Sequence, residues 1–193
     1  MALLRHGHTA WNRAGRIQGR VDQPLDEEAR NHLARLRLPE EFAGASLISS
    51  PLSRAVETAR IVARRDPLVA PELVEMDWGR WEGQRGLDLL ADPDSGYRHL
   101  ETWGWDYEPP GGETPRQVWD RIGPWVANLR GPAVIVSHIG VMRVLLARAT
   151  GWNFEGMPPF QVKRDRLYRI AIREDRAMEF DNQPLRLTAE AGQ

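Results

Sequence analysis

The sequence predicts an α/β fold on a mainly parallel sheet, and three observations carry that expectation. Apolar runs of strand length alternate with segments of helical periodicity along most of the chain. The run from Ala133 to Val136 is apolar throughout and β-branched after its first residue, as suits a strand buried on both faces. Helix-start chemistry recurs between the runs: Asp26 stands ahead of Glu27-Glu28, and Thr114 stands ahead of Pro115.

In chain order, Leu3-Leu4 closes a short apolar run and reads as the end of the first strand. Asp26 caps a helix whose first turn holds two glutamates, where the helix dipole favours negative charge. Ala29, Leu33 and Leu36 follow at helical spacing. Ala45 to Ser49 is a second strand, leading through Ser50-Pro51-Leu52-Ser53 into a helix that carries Val56, Ala59 and Val62. Leu68-Val69 makes a further short strand. Thr114-Pro115 opens a helix with Val118, Ile122, Trp125, Val126 and Leu129 on one face, ended by Gly131-Pro132. The Ala133 to Val136 strand precedes a helix from about Gly140 to Thr150, with Gly151 as its C-cap. Tyr168, Ile170 and Ile172 alternate, and Met178 and Phe180 follow a charged turn, which predicts a terminal hairpin. Residues 1–193 are expected to form a single domain. The stretch from Gly83 to Gly112, with Tyr97, Trp103, Trp105 and Tyr107, breaks the alternation and is expected to leave the core as a lid-like excursion.

Composition narrows the function. At 41% hydrophobic and 27% charged, the 193 residues have the make-up of a water-soluble globular protein. A formal net charge of -1 without long runs of one sign argues against nucleic acid as a partner. No apolar stretch reaches the roughly 20 residues that cross a bilayer, so no membrane partner is expected. Met1-Ala2-Leu3-Leu4 runs straight into Arg5-His6 without a signal peptide, so the cytoplasm is the expected compartment. The absence of cysteine removes disulfides, thiolate nucleophiles and Cys-based zinc sites.

Ligands of open α/β sheets bind beyond the carboxyl ends of the strands. Arg5-His6-Gly7, Ser53-Arg54 and Ser137-His138 all follow strands. If those strands are neighbours, two histidines and two arginines converge. Arginine forks match phosphate oxygens, and a helix N-terminus adds backbone donors. The expected partner is a small-molecule phosphate ester.

The residues Arg5-His6-Gly7-His8-Thr9-Ala10-Trp11-Asn12 resemble the opening motif of the histidine phosphatase superfamily, the phosphoglycerate mutase-like proteins. Ser50 to Ala59 resembles its second motif, Glu75 to Gly83 the acid-bearing loop of its small phosphatases, and Val134 to His138 its last motif. The resemblance implies a three-layer sandwich with helices on both faces of the sheet. It makes His6 the phosphoryl-accepting nucleophile, with Arg5, Arg54 and His138 binding the phosphoryl group. Glu75 becomes the acid and then the base, while Asn12, Gln18 and Gly19 match positions that line the phosphate pocket. Two positions depart from the common pattern. His8 stands where many members have glutamate or glutamine, and Ile139 where glycine usually follows the last histidine.

Alternatives stand beside several of these roles. Asp77 and Glu82 lie near Glu75, and either could be the acid. His6 and His8 alternate along extended backbone and face opposite ways, so they do not suggest a metal pair. No metal or other cofactor is expected. His32 and His99 read as surface residues, and Trp103 and Trp105 as either core packing or a wall over the substrate's organic part. The predicted reaction is metal-independent phosphomonoester hydrolysis through phosphohistidine. The alternatives are phosphoglycerate mutation through the same intermediate, or a non-catalytic phospho-ligand binder. Against the mutase stand the lack of any lysine before Lys163 and of adjacent arginines between Gly83 and Gly112. An edge strand or the terminal hairpin offers a homodimer surface.

Overall fold

The structure, a computed structural model, describes residues 1–189. The strands are β1 (Ala2–Arg5), β2 (Leu36–Arg37), β3 (Ser46–Ser49), β4 (Leu68–Val69), β5 (Ala133–Ser137), β6 (Arg166–Ile172), β7 (Met178–Phe180), β8 (Leu185–Arg186) and β9 (Thr188–Ala189). The helices are α1 (Ala10–Arg13), α2 (Glu27–Leu33), α3 (Ser53–Ala63), α4 (Gly86–Ala91), α5 (Pro115–Asn128) and α6 (Ile139–Thr150). Strand order in the main sheet is β4-β3-β5-β1-β6-β7, with β8 also paired to β6. The β4-β3-β5-β1 half is parallel, and β6 continues it antiparallel to β1.

The period of two along a strand divides the core in two. Ala2, Leu4, Val134 and Val136 pack with Ala29 and Leu33 of α2 and Ala55, Ala59 and Val62 of α3. Leu3 and Ile135 face the other way, against Val118 and Ile122 of α5 and Val141 and Leu145 of α6. Helices therefore cover both faces, giving the three-layer sandwich. Burial on both sides explains why β5 is apolar at every position before Ser137.

The helix ends follow their local chemistry. The Asp26 carboxylate accepts from the Ala29 amide at 2.7 Å, and Thr114 forms a reciprocal capping box with Gln117. Gly151 ends α6 at φ 75°, a left-handed conformation that glycine adopts without steric cost.

Several elements differ from expectation. Leu36 lies in β2, paired with Ala189, and not in α2, which ends at Leu33. It still reaches the same apolar cluster, so the periodicity is real but is met by two elements. The short helices α1 and α4 and the strands β8 and β9 lack a sequence signal long enough to show periodicity. The terminal hairpin forms as β6-β7.

Trp103 and Tyr107 of the 83–112 stretch are buried in the α5/α6-side core. Trp103 and Trp105 both meet Phe154, with ring centroids 6.4 and 5.1 Å away, and the Trp103 indole donates to the Arg98 carbonyl at 3.0 Å. These two tryptophans take the packing role.

Ile135 is fully buried at the centre of the sheet, whereas Leu68 on the edge strand is 69% exposed. Ile135→Ala is expected to lower the unfolding free energy by about 2–5 kcal/mol in urea denaturation. Leu68→Ala is expected to change it by less than about 0.5 kcal/mol.

Candidate active site

β5 lies between β1 and β3, in registers that pair Arg5 with Ser137 and Ser49 with Val136. Each ladder extends one bond further. The His6 amide donates to the Ser137 carbonyl, and the Ser50 amide to the Val136 carbonyl, both at 3.0 Å. This sets His6, Ser50 and His138 side by side at the carboxyl edge of the sheet. The two histidines are buried, with ring centroids 5.1 Å apart. His138 Nε2 lies 2.6 Å from the Ser50 hydroxyl.

His6 Nδ1 lies 2.6 Å from the Gly7 carbonyl oxygen. A carbonyl only accepts, so Nδ1 carries the proton and a neutral ring has its lone pair on Nε2. Burial holds the His6 pKa well below its ordinary value of 6.5, and His138, Arg54, Arg5 and Arg164 add to the effect. His6 is therefore neutral at pH 7.

Arg54 is fully buried on the first turn of α3. Its Nη2 donates to the Gly19 carbonyl at 2.6 Å and its Nη1 to the Val21 carbonyl at 3.0 Å. The amides of Gly19 and Val21 in turn donate to Glu82 Oε1 at 2.9 and 2.7 Å. Gly19 thus holds Arg54 through its carbonyl, and its amide is already engaged. Burial brings the Arg5 guanidinium down to about 9, still charged at neutrality. Four buried side-chain nitrogens in this region have no hydrogen-bond partner among the described residues: the donors Arg5 Nε, Arg54 Nε and Gln18 Nε2, and His138 Nδ1, which is a donor in the tautomer whose Nε2 accepts from Ser50. Buried polar groups are normally satisfied, so such a concentration suits an oxyanion.

Glu75 is buried at the head of α6. Its Oε1 accepts from the amides of Met76, Gly140 and Val141 at 2.8, 3.0 and 3.3 Å, while Oε2 accepts only from Gly140, at 3.2 Å. Burial raises its pKa above the ordinary 4.5 despite these donors. Oε2 is the less engaged oxygen and the better seat for a proton. A Cβ on Gly140 would lie 2.5 Å from Glu75 Oε1 and 2.9 Å from Met76 Cβ, so a side chain here would displace the acid loop. Arg121 of α5 fixes the acid loop from behind, donating to the carbonyls of Val74 at 2.8 Å and Glu75 at 3.3 Å, and also to that of Glu72.

A cavity of about 150 Å³ opens at this edge, lined by Arg5, His6, Asn12, Gln18 and Glu75 among others. Neither Asp77 nor Glu82 lines it: Asp77 pairs with Arg20 at 3.3 Å, and Glu82 holds the Gly19 and Val21 amides. Gln18 Oε1 accepts from Thr9 Oγ1 at 2.8 Å and Asn12 Nδ2 at 3.0 Å, which leaves its amide nitrogen unpaired. Ile139 and Tyr97 add apolar wall, so the departure at Ile139 alters the cavity lining. His8 lies in a separate cavity with Arg13 and His32. His32 is exposed and pairs with Asp165 at 2.7 Å.

Sequence reading missed Arg16, Arg143, Trp78 and Tyr97 on the cavity wall, and Arg164 beside His6. Arg143 sits one turn into α6 at helical spacing from Ile139, a signal that could have placed it near the site. Among the described residues no group of three or more histidine, aspartate or glutamate side chains could hold a metal ion. No helix among them is long and apolar enough to cross a membrane.

Known proteins resemble this chain over most of its length. A protein of Cronobacter sakazakii named probable phosphoglycerate mutase GpmB is 32% identical over 180 residues, covering 88% of this chain and 81% of the relative. A metal-independent phosphoserine phosphatase of Arabidopsis thaliana is 32% identical over 162 residues, covering 78% and 68%. The crystal structure of TTHB049 from Thermus thermophilus superposes with a TM-score of 0.72 at 33% identity, covering 98% of both chains. The family model of the histidine phosphatase superfamily (branch 1) matches residues 1–180, and the chain belongs to that superfamily.

Proposed function

We propose that this chain is a phosphomonoester hydrolase that works through a phosphohistidine on His6 and needs no metal. The observation that carries the reading is the Nδ1–Gly7 hydrogen bond, which leaves the His6 Nε2 lone pair free inside a ring of buried donors. Nε2 forms the N–P bond as the ester P–O bond breaks, and Glu75 gives its proton to the departing oxygen. Water then forms a new P–O bond as the N–P bond breaks. Its proton passes to the Glu75 carboxylate, and inorganic phosphate leaves. Arg5, Arg54 and His138 carry the charge on the transferring group, which is most of what phosphoryl transfer demands of a protein. Asn12 and Gln18 complete the phosphate pocket, and Gly19 acts by placing Arg54. A cytoplasmic location belongs to the same reading, because small phosphate esters are metabolites of that compartment.

The relative named phosphoglycerate mutase supports a second reading, in which the phosphohistidine returns its phosphoryl group to a sugar acid. The relative named phosphoserine phosphatase supports hydrolysis. A panel of phosphoserine, 3-phosphoglycerate and simple alkyl phosphates, assayed with chelator present, separates the two. Wild type is expected to release inorganic phosphate, and His6→Ala to lose this activity by roughly 10³-fold or more. Conversion of 3-phosphoglycerate to 2-phosphoglycerate without phosphate release would establish the mutase instead.

The pH profile tests the division of roles. His6 must be neutral to attack, and its lowered pKa sets the acid limb of kcat/KM below pH 6.5. Glu75 must be protonated to donate, and its raised pKa sets the alkaline limb above pH 4.5. Glu75→Gln is expected to abolish the alkaline limb and to slow turnover by about 10²–10⁴-fold. Gly140→Ala, which forces a methyl against Glu75, is expected to lower kcat by roughly 10²-fold through misplacement of the acid.

A further inference from the structure

No sequence motif accounts for the hold that the C-terminal third has on the catalytic loop. Because β6 runs antiparallel to β1, with Leu4 opposite Leu167, the start of β6 lies at the end of β1 where His6 sits. Arg164 stands two residues before β6. Its Nε donates to the His6 carbonyl at 3.0 Å, and its Nη2 to Asn12 Oδ1 at 2.8 Å. The buried Tyr168 steadies this segment, its hydroxyl accepting from the Lys163 amide at 2.5 Å and donating to the Gln161 carbonyl at 2.8 Å.

Both acceptors of Arg164 are neutral. The adjacent carboxylate, Asp165, is bonded to His32, and no ion pair engages Arg164 among the described residues. The guanidinium is desolvated, to about 10, and remains charged at neutral pH. The peptide it holds precedes the Gly7 carbonyl that fixes the His6 ring. One fork therefore governs two successive carbonyls, one directly and one through the chain.

We propose that Arg164 is a positioning residue of the catalytic loop, locking the His6 peptide to Asn12 while keeping a positive charge without an ion-pair partner beside the nucleophile. This rests on the phosphohistidine reading above. The charge does two things. It disfavours protonation of His6, preserving the attacking lone pair, and it attracts the phosphoryl dianion. The other groups facing His6 or its cavity are Arg5 of β1, Arg16, Arg54 of α3, His138 ahead of α6, Arg143 of α6, Tyr97 and Glu75 of the acid loop. Of these, Glu75 is the only carboxylic acid, and burial favours its neutral form. Asp165 and Asp26 act on Arg164 through space but neither is bonded to it, so its charge stays unpaired.

The test titrates the His6 imidazole by NMR in the full chain and measures kcat and KM for wild type, Arg164→Gln and Arg164→Lys. In Arg164→Gln, His6 is expected to titrate at higher pH, with kcat reduced by ten-fold or more and KM little changed. Arg164→Lys keeps the charge, so the His6 titration should return toward wild type. A single ammonium cannot reproduce the fork, and kcat should stay roughly ten-fold low. An unmoved His6 titration in Arg164→Gln would overturn the proposal, as would a wild-type kcat in Arg164→Lys. A purely structural role would lower the melting temperature of both variants alike and leave the titration in place, which also overturns it. The titration requires no turnover. Absence of phosphate release by wild type would therefore sink the hydrolase reading and leave the Arg164 result to be judged separately.

Discussion

Two backbone hydrogen bonds, one on each side of β5, decide where the chemistry lies. The His6 amide on Ser137 and the Ser50 amide on Val136 set the strand ends level. A slip of one residue in either ladder would turn every side chain of that strand to the opposite face. What prevents the slip is burial on both sides: Val134 and Val136 fit the α2/α3 layer and Ile135 fits the α5/α6 layer. The juxtaposition of two histidines is thus a by-product of hydrophobic packing several residues away.

The site gathers like charges where water is scarce, an arrangement that opposes folding locally. Arg54 is tolerated because two carbonyls receive it, and those carbonyls belong to peptides that Glu82 also holds. Arg164 is received the same way, by a carbonyl and a side-chain amide. Neutral acceptors orient a guanidinium without cancelling its charge. The resulting field is one that a phosphoryl dianion can complete.

The sequence showed the parallel core because strands buried on both faces cannot hide their apolar runs. It also showed His6, Arg54, Glu75 and His138, which follow such runs or sit within recognisable motifs. Arg164 and Arg143 were not legible for the opposite reason. An arginine in a polar loop or on a helix looks the same whether it meets water or a catalytic carbonyl, and only the antiparallel placement of β6 separates the cases. Leu36 kept helical spacing while belonging to a strand, since periodicity reports which face is buried and not which element buries it. Trp103 and Trp105 sit in a stretch without periodicity, so their choice between core and cavity depended on Phe154, some 50 residues away in the chain.

The position of β1 between β5 and β6 has a bearing on how the molecule is made. His6 follows directly on β1, yet the two strands that flank β1 begin only at Ala133 and Arg166, more than 120 residues further along the chain. During translation His6 is a tethered imidazole without a nest, and the contacts that close around it are among the longest in sequence that this topology contains. The pocket around His6 is thereby complete only when the whole sheet has formed.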